Sequence, residues 1–296
     1  MEKKQKIIPH LWFDKEAVEA AGFYTSIFQD SQVLNTSVLR NTPSGTVDMV
    51  TIELFKQKYM LISAGPYFKF NPSISFIIAC RTMDEADKFW KLISDGGKVL
   101  MEHGDYPFGY FGWVEDKYGL SWQILYREGG KIRQRVTPHI MFTGNICGKA
   151  EEAVKFYTSV FPNGKVGEIV RYGKDEGPDK EGTIKHAVFT LGEKEFTAMD
   201  SAYEHQFAFN EAVSFIVRCE NQKEIDYYWE KLSADPGSEQ CGWLKDKYGL
   251  SWQIVPAEMD KMMKDQDQVK LDRVTGAFLK MKKFDIEALK KAYNGK

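Results

Sequence analysis

Apolar and polar positions along the first 130 residues follow a series that starts again near position 135. "IPHLWF" (Ile8 to Phe13) reads as a short strand, and "TPHIMF" (Thr137 to Phe142) answers it. After the second of these, Ala150, Ala153, Val154, Tyr157, Val160 and Phe161 fall on one face at helical spacing. Val18, Ala21, Tyr24 and Phe28 do the same, less regularly, after the first. Two alternating stretches follow, "VDMVTIELFKQKYMLIS" and "IKHAVFTLGEKEFTAMD", each a hairpin about a polar turn. The series then resumes with "SFIIAC" against "SFIVRC", a helix in which Ile225, Tyr228, Trp229 and Leu232 share a face, and further strands ending in "SWQI". Each half is predicted as βαβββ-βαβββ. Many strands and few helices indicate an α+β arrangement with helices on one face of a curved sheet.

The series is a tandem duplication of about 130 residues. "GWVEDKYGLSWQI" at Gly112 returns as "GWLKDKYGLSWQI" at Gly242 with eleven of thirteen positions unchanged. "REGGKIRQR", with its paired Gly and charge run, reads as the join. The expected division is 1–130, 135–258 and a helical extension over 259–296. In that extension Leu271, Val274, Phe278 and Met281 lie at helical spacing, and Asp285 stands as the N-cap of a second helical run. An isolated amphipathic helix is marginal in water, so the extension is expected to dock on the domains or on another subunit.

Composition narrows the partners. Forty basic and 42 acidic residues, spread along the chain for a net charge of −2, argue against a nucleic-acid face. No run approaches the roughly 20 apolar residues that span a bilayer, and the basic start lacks a signal-peptide core, so a cytoplasmic protein without membrane partners is expected. Cys80, Cys147, Cys219 and Cys241 show no Cys-x-x-Cys pair and read as free thiols.

Strand alternation selects the candidate chemistry. In "IPHLWF", Leu11 and Phe13 suit the helix side, which leaves His10 and Trp12 for the opposite face. In the second repeat His139 and Met141 hold those places. In "SWQI" the Trp and the Gln oppose one another, so Trp122 and Trp252 pack under helices while Gln123 and Gln253 face a cavity. His103, His186 and His205 are read as surface residues, with His205 and Tyr203 near a cavity mouth.

The element order, "PHLWF", "FYTSIF" and the closing "GWxxDKYGLSWQI" resemble the vicinal oxygen chelate superfamily, which includes glyoxalase I, bleomycin-resistance proteins and extradiol dioxygenases. The PhnB-like branch, labelled 3-demethylubiquinone 3-methyltransferase-like, is the nearest match, once per half from about Ile7 to Glu258. The resemblance implies a half-open, eight-stranded barrel around a cavity in each half, and an internal pseudo-dimer of the two halves, with a further homodimer open. It also implies that a divalent metal, if used, would be held by His10, Ser75 and Gln123, and by His139, Ser214 and Gln253. Asp200 would add a carboxylate in the second half, where the first offers only Ser63 or Ala64. A set of His, Ser and Gln is poor for a divalent ion, which takes three or more His or carboxylate ligands at catalytic sites, so no metal or other cofactor is favoured. Three functions stay open: a small-molecule binder or metal-poor enzyme of glyoxalase type, a metal-dependent lyase, isomerase or dioxygenase, and sequestration of a drug or metabolite. Methyl transfer of the Rossmann type is disfavoured, because the chain has no Gly-x-Gly triplet to bring backbone against a cofactor.

Overall fold

The computed structural model describes residues 5–265 and 267–296. The first repeat gives β1 (Ile7–Phe13), α1 (Ala17–Ile27), β2 (Gln32–Thr42), β3 (Gly45–Leu54), β4 (Gln57–Ser63), β5 (Ile74–Cys80), α2 (Met83–Ser94), β6 (Lys98–Tyr106), β7 (Gly109–Glu115) and β8 (Ser121–Tyr126). This is the order that the periodicity predicts. The second gives β9 (Val136–Phe142), α3 (Ala150–Val160), β10 (Lys165–Arg171), β11 (Ile184–Leu191), β12 (Lys194–Asp200), β13 (Val213–Cys219), α4 (Gln222–Leu232), β14 (Trp243–Lys245) and β15 (Ser251–Pro256). It is one strand short. Trp229 and Trp243 stand 14 positions apart where Trp90 and Trp113 stand 23 apart, so the chain between α4 and β14 has no length for a counterpart of β6. The extension folds as α5 (Met259–Met262), α6 (Gln268–Phe278) and α7 (Ile286–Asn294).

Two mixed, open sheets form, ordered β14-β15-β13-β1-β4-β3-β2 and β10-β11-β12-β9-β5-β8-β7-β6. The expected closure of each repeat on itself, as 1–130 and 135–258, is therefore corrected. One compact unit combines the chain up to Lys69 with Asn210–Lys296, and the other is Phe70–Phe209. The first unit takes four strands from the first repeat and three from the second, and the second unit takes four from each. The joining ladders are antiparallel, β1 on β13 from Ile7↔Val217 to Leu11↔Val213, and β5 on β9 from Ile74↔Ile140 to Ile78↔Val136. Duplication makes this exchange possible: β5 and β13 offer the same apolar edge to β1 or β9, so either pairing buries the same chemistry.

The conserved-in-sequence turn before the last strand has a structural cause in both copies. Asp246 accepts from the Trp252 indole at 2.8 Å and from the backbone amides of Tyr248 and Leu250 at 2.8 and 3.1 Å. Asp116 does the same for Trp122, Tyr118 and Leu120. A buried carboxylate needs several donors to offset its lost hydration, and the turn supplies them. The glycine of "GW" is equally constrained. A Cβ on Gly112 would lie 2.6 Å from the Trp90 ring, and one on Gly242 would lie 2.6 Å from the Phe284 ring. Phe284 of the extension thus fills in the first unit the place that Trp90 of α2 fills in the second. The extension is anchored there by Cys241 N–H to Met281 O (2.8 Å) and Gly242 N–H to Lys282 O (2.7 Å). Asp285 caps α7 through the Ala288 amide, as its sequence position predicts.

Candidate functional site

In the first unit, α1 packs on β3 and β4, and α4 on β13 and β15, which leaves the opposite sheet face for a cavity. Leu11 and Phe13 are buried, and His10 and Trp12 line a cavity of about 180 Å³ together with Gln253. The partners of His10 are not those expected. Because β1 lies beside β13, His10 pairs in register with Ser214, and the cavity joins His10 to Gln253 rather than to Gln123. Gln253 Nε2 donates to Ser214 Oγ at 3.0 Å, and the Ser214 hydroxyl stands 3.5 Å from His10 Nδ1. The Ser214 O–H remains free to donate to Nδ1, and in that arrangement His10 carries its proton on Nε2. His10 is buried without a charged partner, and burial pushes its imidazole down to about 3, so it is neutral near pH 7. It offers an N–H donor and no positive charge.

The rest of the wall is mostly apolar, with Asn35, Thr51, Lys58, Asp260 and Lys264 also on the lining. Trp243 packs edge-on against His10 at 5.3 Å and against Trp12 at 6.1 Å. Trp12 is fixed by its indole N–H to Gly65 O at 2.8 Å. Met60 lies beside His10 in register, and Met49 and, from the extension, Met259, Met263 and Phe278 also line the cavity. A second space of about 370 Å³ shares Trp12, Trp243 and Phe278 with the first, and there the buried Ser251 hydroxyl has no hydrogen-bond partner among the described residues. Trp243 and the methionines escape a reading by motif. Trp243 was accessible from register, since it lies opposite Gln253 on the same face of the sheet.

In the second unit, Gln123 Nε2 donates to Ser75 Oγ at 2.8 Å, the same bond as in the first. His139 departs from His10. Its Nδ1 lies 2.9 Å from Thr197 Oγ1, which stands where the first unit has Met60, and its buried Nε2 has no partner among the described residues. Burial, with His186 nearby, pushes His139 down to about 3. Met141 is buried on the same face as His139, by alternation. Asp200 is not with them. It pairs with Phe142, on the opposite face from His139. Its carboxylate oxygens accept from the amides of Gly148 (2.7 Å), Ala150 (3.1 Å) and Ile184 (3.0 Å), fixing the start of α3. Ser63 does this for Ala17 at 3.0 Å in the first unit. Asp200 is thus a packing residue and not a cavity ligand. Two of the histidines read as surface residues are also placed otherwise: His103 packs between Trp90 and Tyr110, and His186 lines a cavity. His205 bonds Ser201 at 2.8 Å.

Each unit thus sets one buried imidazole near one amide and one hydroxyl that are bonded to each other, His10 with Gln253 and Ser214 in the first and His139 with Gln123 and Ser75 in the second. Among the described residues, no three His, Cys, Asp or Glu side chains come together as a metal-holding group. This donor set does not fit a divalent ion, which needs charge and free lone pairs to offset its dehydration. Cys80 and Cys219 are free and buried, and burial pushes both thiols up to about 12. No described helix is long and apolar enough to cross a membrane.

A half-open mixed sheet with helices on one face and a cavity on the other is the vicinal oxygen chelate fold of glyoxalase type. Glyoxalase I from Zea mays shares it at 12% identity and a TM-score of 0.56, over 88% of this chain and 98% of that one. The family model described as 3-demethylubiquinone-9 3-methyltransferase matches residues 5–125 and 134–255, and the chain belongs to that PhnB-like family. A Bacillus cereus protein described as "Putative 3-demethylubiquinone-9 3-methyltransferase, PhnB protein" is 36% identical over 42% of this chain and 100% of its own, with a TM-score of 0.39. Comparison with curated proteins finds no match. The methyltransferase wording is the name of the family model.

Proposed function

We propose that the first unit binds a small, largely apolar molecule without a metal, in the cavity built from β1, β13, β15 and the C-terminal extension. One observation carries this: a mostly apolar wall of aromatic, aliphatic and methionine side chains that holds the buried, neutral imidazole of His10 beside the Gln253 amide. Such a wall with few placed polar groups is the usual construction of a small-molecule site. A group that ionises near 3 is far from the pKa that general-base catalysis near neutrality favours, so His10 acts in this reading by donating a hydrogen bond to an acceptor atom of the ligand. The adjoining space behind Trp12 and Trp243 extends the site for a longer or planar ligand, with the Ser251 hydroxyl available to it.

A thermal-shift screen of planar and aliphatic apolar compounds, run with EDTA and with added zinc, tests the proposal. It expects ligands whose shifts are equal in both conditions, and affinities weakened about tenfold by His10→Ala through loss of one hydrogen bond. Binding that requires zinc, or turnover that zinc restores after EDTA, would instead support the metal-dependent lyase, isomerase or dioxygenase reading.

A further inference from the structure

The two repeats build the same cavity wall twice from different residues. Where the first unit has Ile8, Met49, Met60 and Met263, the second has Thr137, His186, Thr197 and Arg133 at the equivalent positions, and those four line a cavity of about 140 Å³. Every one of these exchanges replaces an apolar group by a hydrogen-bonding or cationic one. The segment that follows the last strand also changes character. In the first unit it lines the cavity with Met259 and Met263 and with the oppositely charged Asp260 and Lys264, and in the second with Lys131 and Arg133, together with Arg127.

This segment is held in place. Gln134 donates to Val136 O (3.0 Å) and Glu195 O (2.9 Å) and accepts from the Glu195 amide (3.2 Å), which fixes Arg133 at the edge of the cavity. Arg127 is fixed by its Nε–H to Phe108 O at 2.9 Å. Three partly solvated cationic side chains, Arg127, Lys131 and Arg133, thus border a lining that holds one carboxylate, Glu195, which lies near Arg133. The floor between them mixes Thr137 and Thr197 hydroxyls with the apolar Ile77, Ala79 and Val188. Beside it on the same concave face lies His139, whose buried Nε2 has no partner among the described residues. A cleft of one sign of charge with low-dielectric walls concentrates ligands of the other sign.

We propose that the cavity of the second unit is a separate site for a small organic anion with a compact apolar body. The anionic group meets Arg127 and Arg133, the Thr137 hydroxyl donates to a remaining lone pair, and the apolar part covers the floor. The site is independent of the apolar cavity of the first unit.

Titration of the full chain with benzoate, phenyl phosphate, benzyl alcohol and benzylammonium, followed by NMR shifts of His186 and Thr197, tests the proposal. The two anions are expected to bind saturably and at least tenfold more tightly than the alcohol, with benzylammonium weakest; the tighter anion tells carboxylate from phosphate. Arg133→Met, which installs the residue type of the first unit, is expected to weaken anion binding at least fivefold. Arg127→Lys keeps the charge and is expected to stay within about threefold. Spectra of both variants report whether the fold is intact. Equal affinity for benzoate and benzyl alcohol would overturn the proposal. So would full anion affinity in a folded Arg133→Met, or anion-induced shifts at Trp12 and Trp243 in place of those at His186.

Discussion

Acidification should destabilise each unit through one buried histidine. His10 titrates at 6.5 when unfolded and is pushed down to about 3 by burial, and His139 behaves alike. Between those values the unfolded chain holds a proton that the folded chain does not, so falling pH favours unfolding; above 6.5 neither form is protonated and the effect vanishes. The full difference of about 3.5 units corresponds to about 5 kcal/mol per histidine, of which about 2 kcal/mol is lost by pH 5. Urea unfolding measured near pH 7.5 and near pH 5 reads this directly, with the same comparison in His10→Asn and His139→Asn. Asparagine retains a group close to Nδ1 but cannot take the proton. The substitution lowers stability at both pH values, while the pH-dependent part of the loss should shrink by about 2 kcal/mol in each variant. A variant whose loss between the two pH values equals that of the parent would refute the reasoning, since the carboxylates that titrate in the same range are unchanged in it.

The repeated Asp of the turn gives a second expectation. Asp246→Asn leaves one acceptor oxygen for three donors, including the buried Trp252 indole, and should cost about 2–4 kcal/mol by urea melts, with Asp116→Asn alike. A loss under about 0.5 kcal/mol would show that the turn does not depend on that carboxylate. Residues 1–130 produced alone should yield no folded monomer, because β1 and β5 each lose the strand that completes their sheet. A monomeric species by light scattering with native-like cooperative unfolding would show that a repeat can close on itself.

Element order was legible because helical and strand periods differ, and the duplication let each half check the other. The inward placement of His10 and Trp12 followed from the period of two alone. The same rule, run along "KEFTAMD", puts Thr197 and Met199 with His139 and turns Asp200 away, so residue type alone is no guide to a cavity ligand. The pairing of the halves was not legible. "SFIIAC" and "SFIVRC" are interchangeable neighbours for β1, so no residue distinguishes closure within a repeat from closure across repeats. Helical spacing located α6, yet the role of Phe278 and Phe284 at the cavity depends on the strand that the second repeat lacks, a feature visible only as a shorter interval between two tryptophans.

The central claim is that the first unit's site is assembled across the repeats, with a neutral His10 held by Ser214 and Gln253. Long-range proton–nitrogen NMR of the His10 ring tests it most directly, in the parent and in Ser214→Ala and Ser75→Ala. The account predicts a neutral ring protonated at Nε2 from about pH 5 to 8, perturbed at Nδ1 by Ser214→Ala and unmoved by Ser75→Ala. A ring that titrates in that range, or that responds to Ser75→Ala and not to Ser214→Ala, would contradict it.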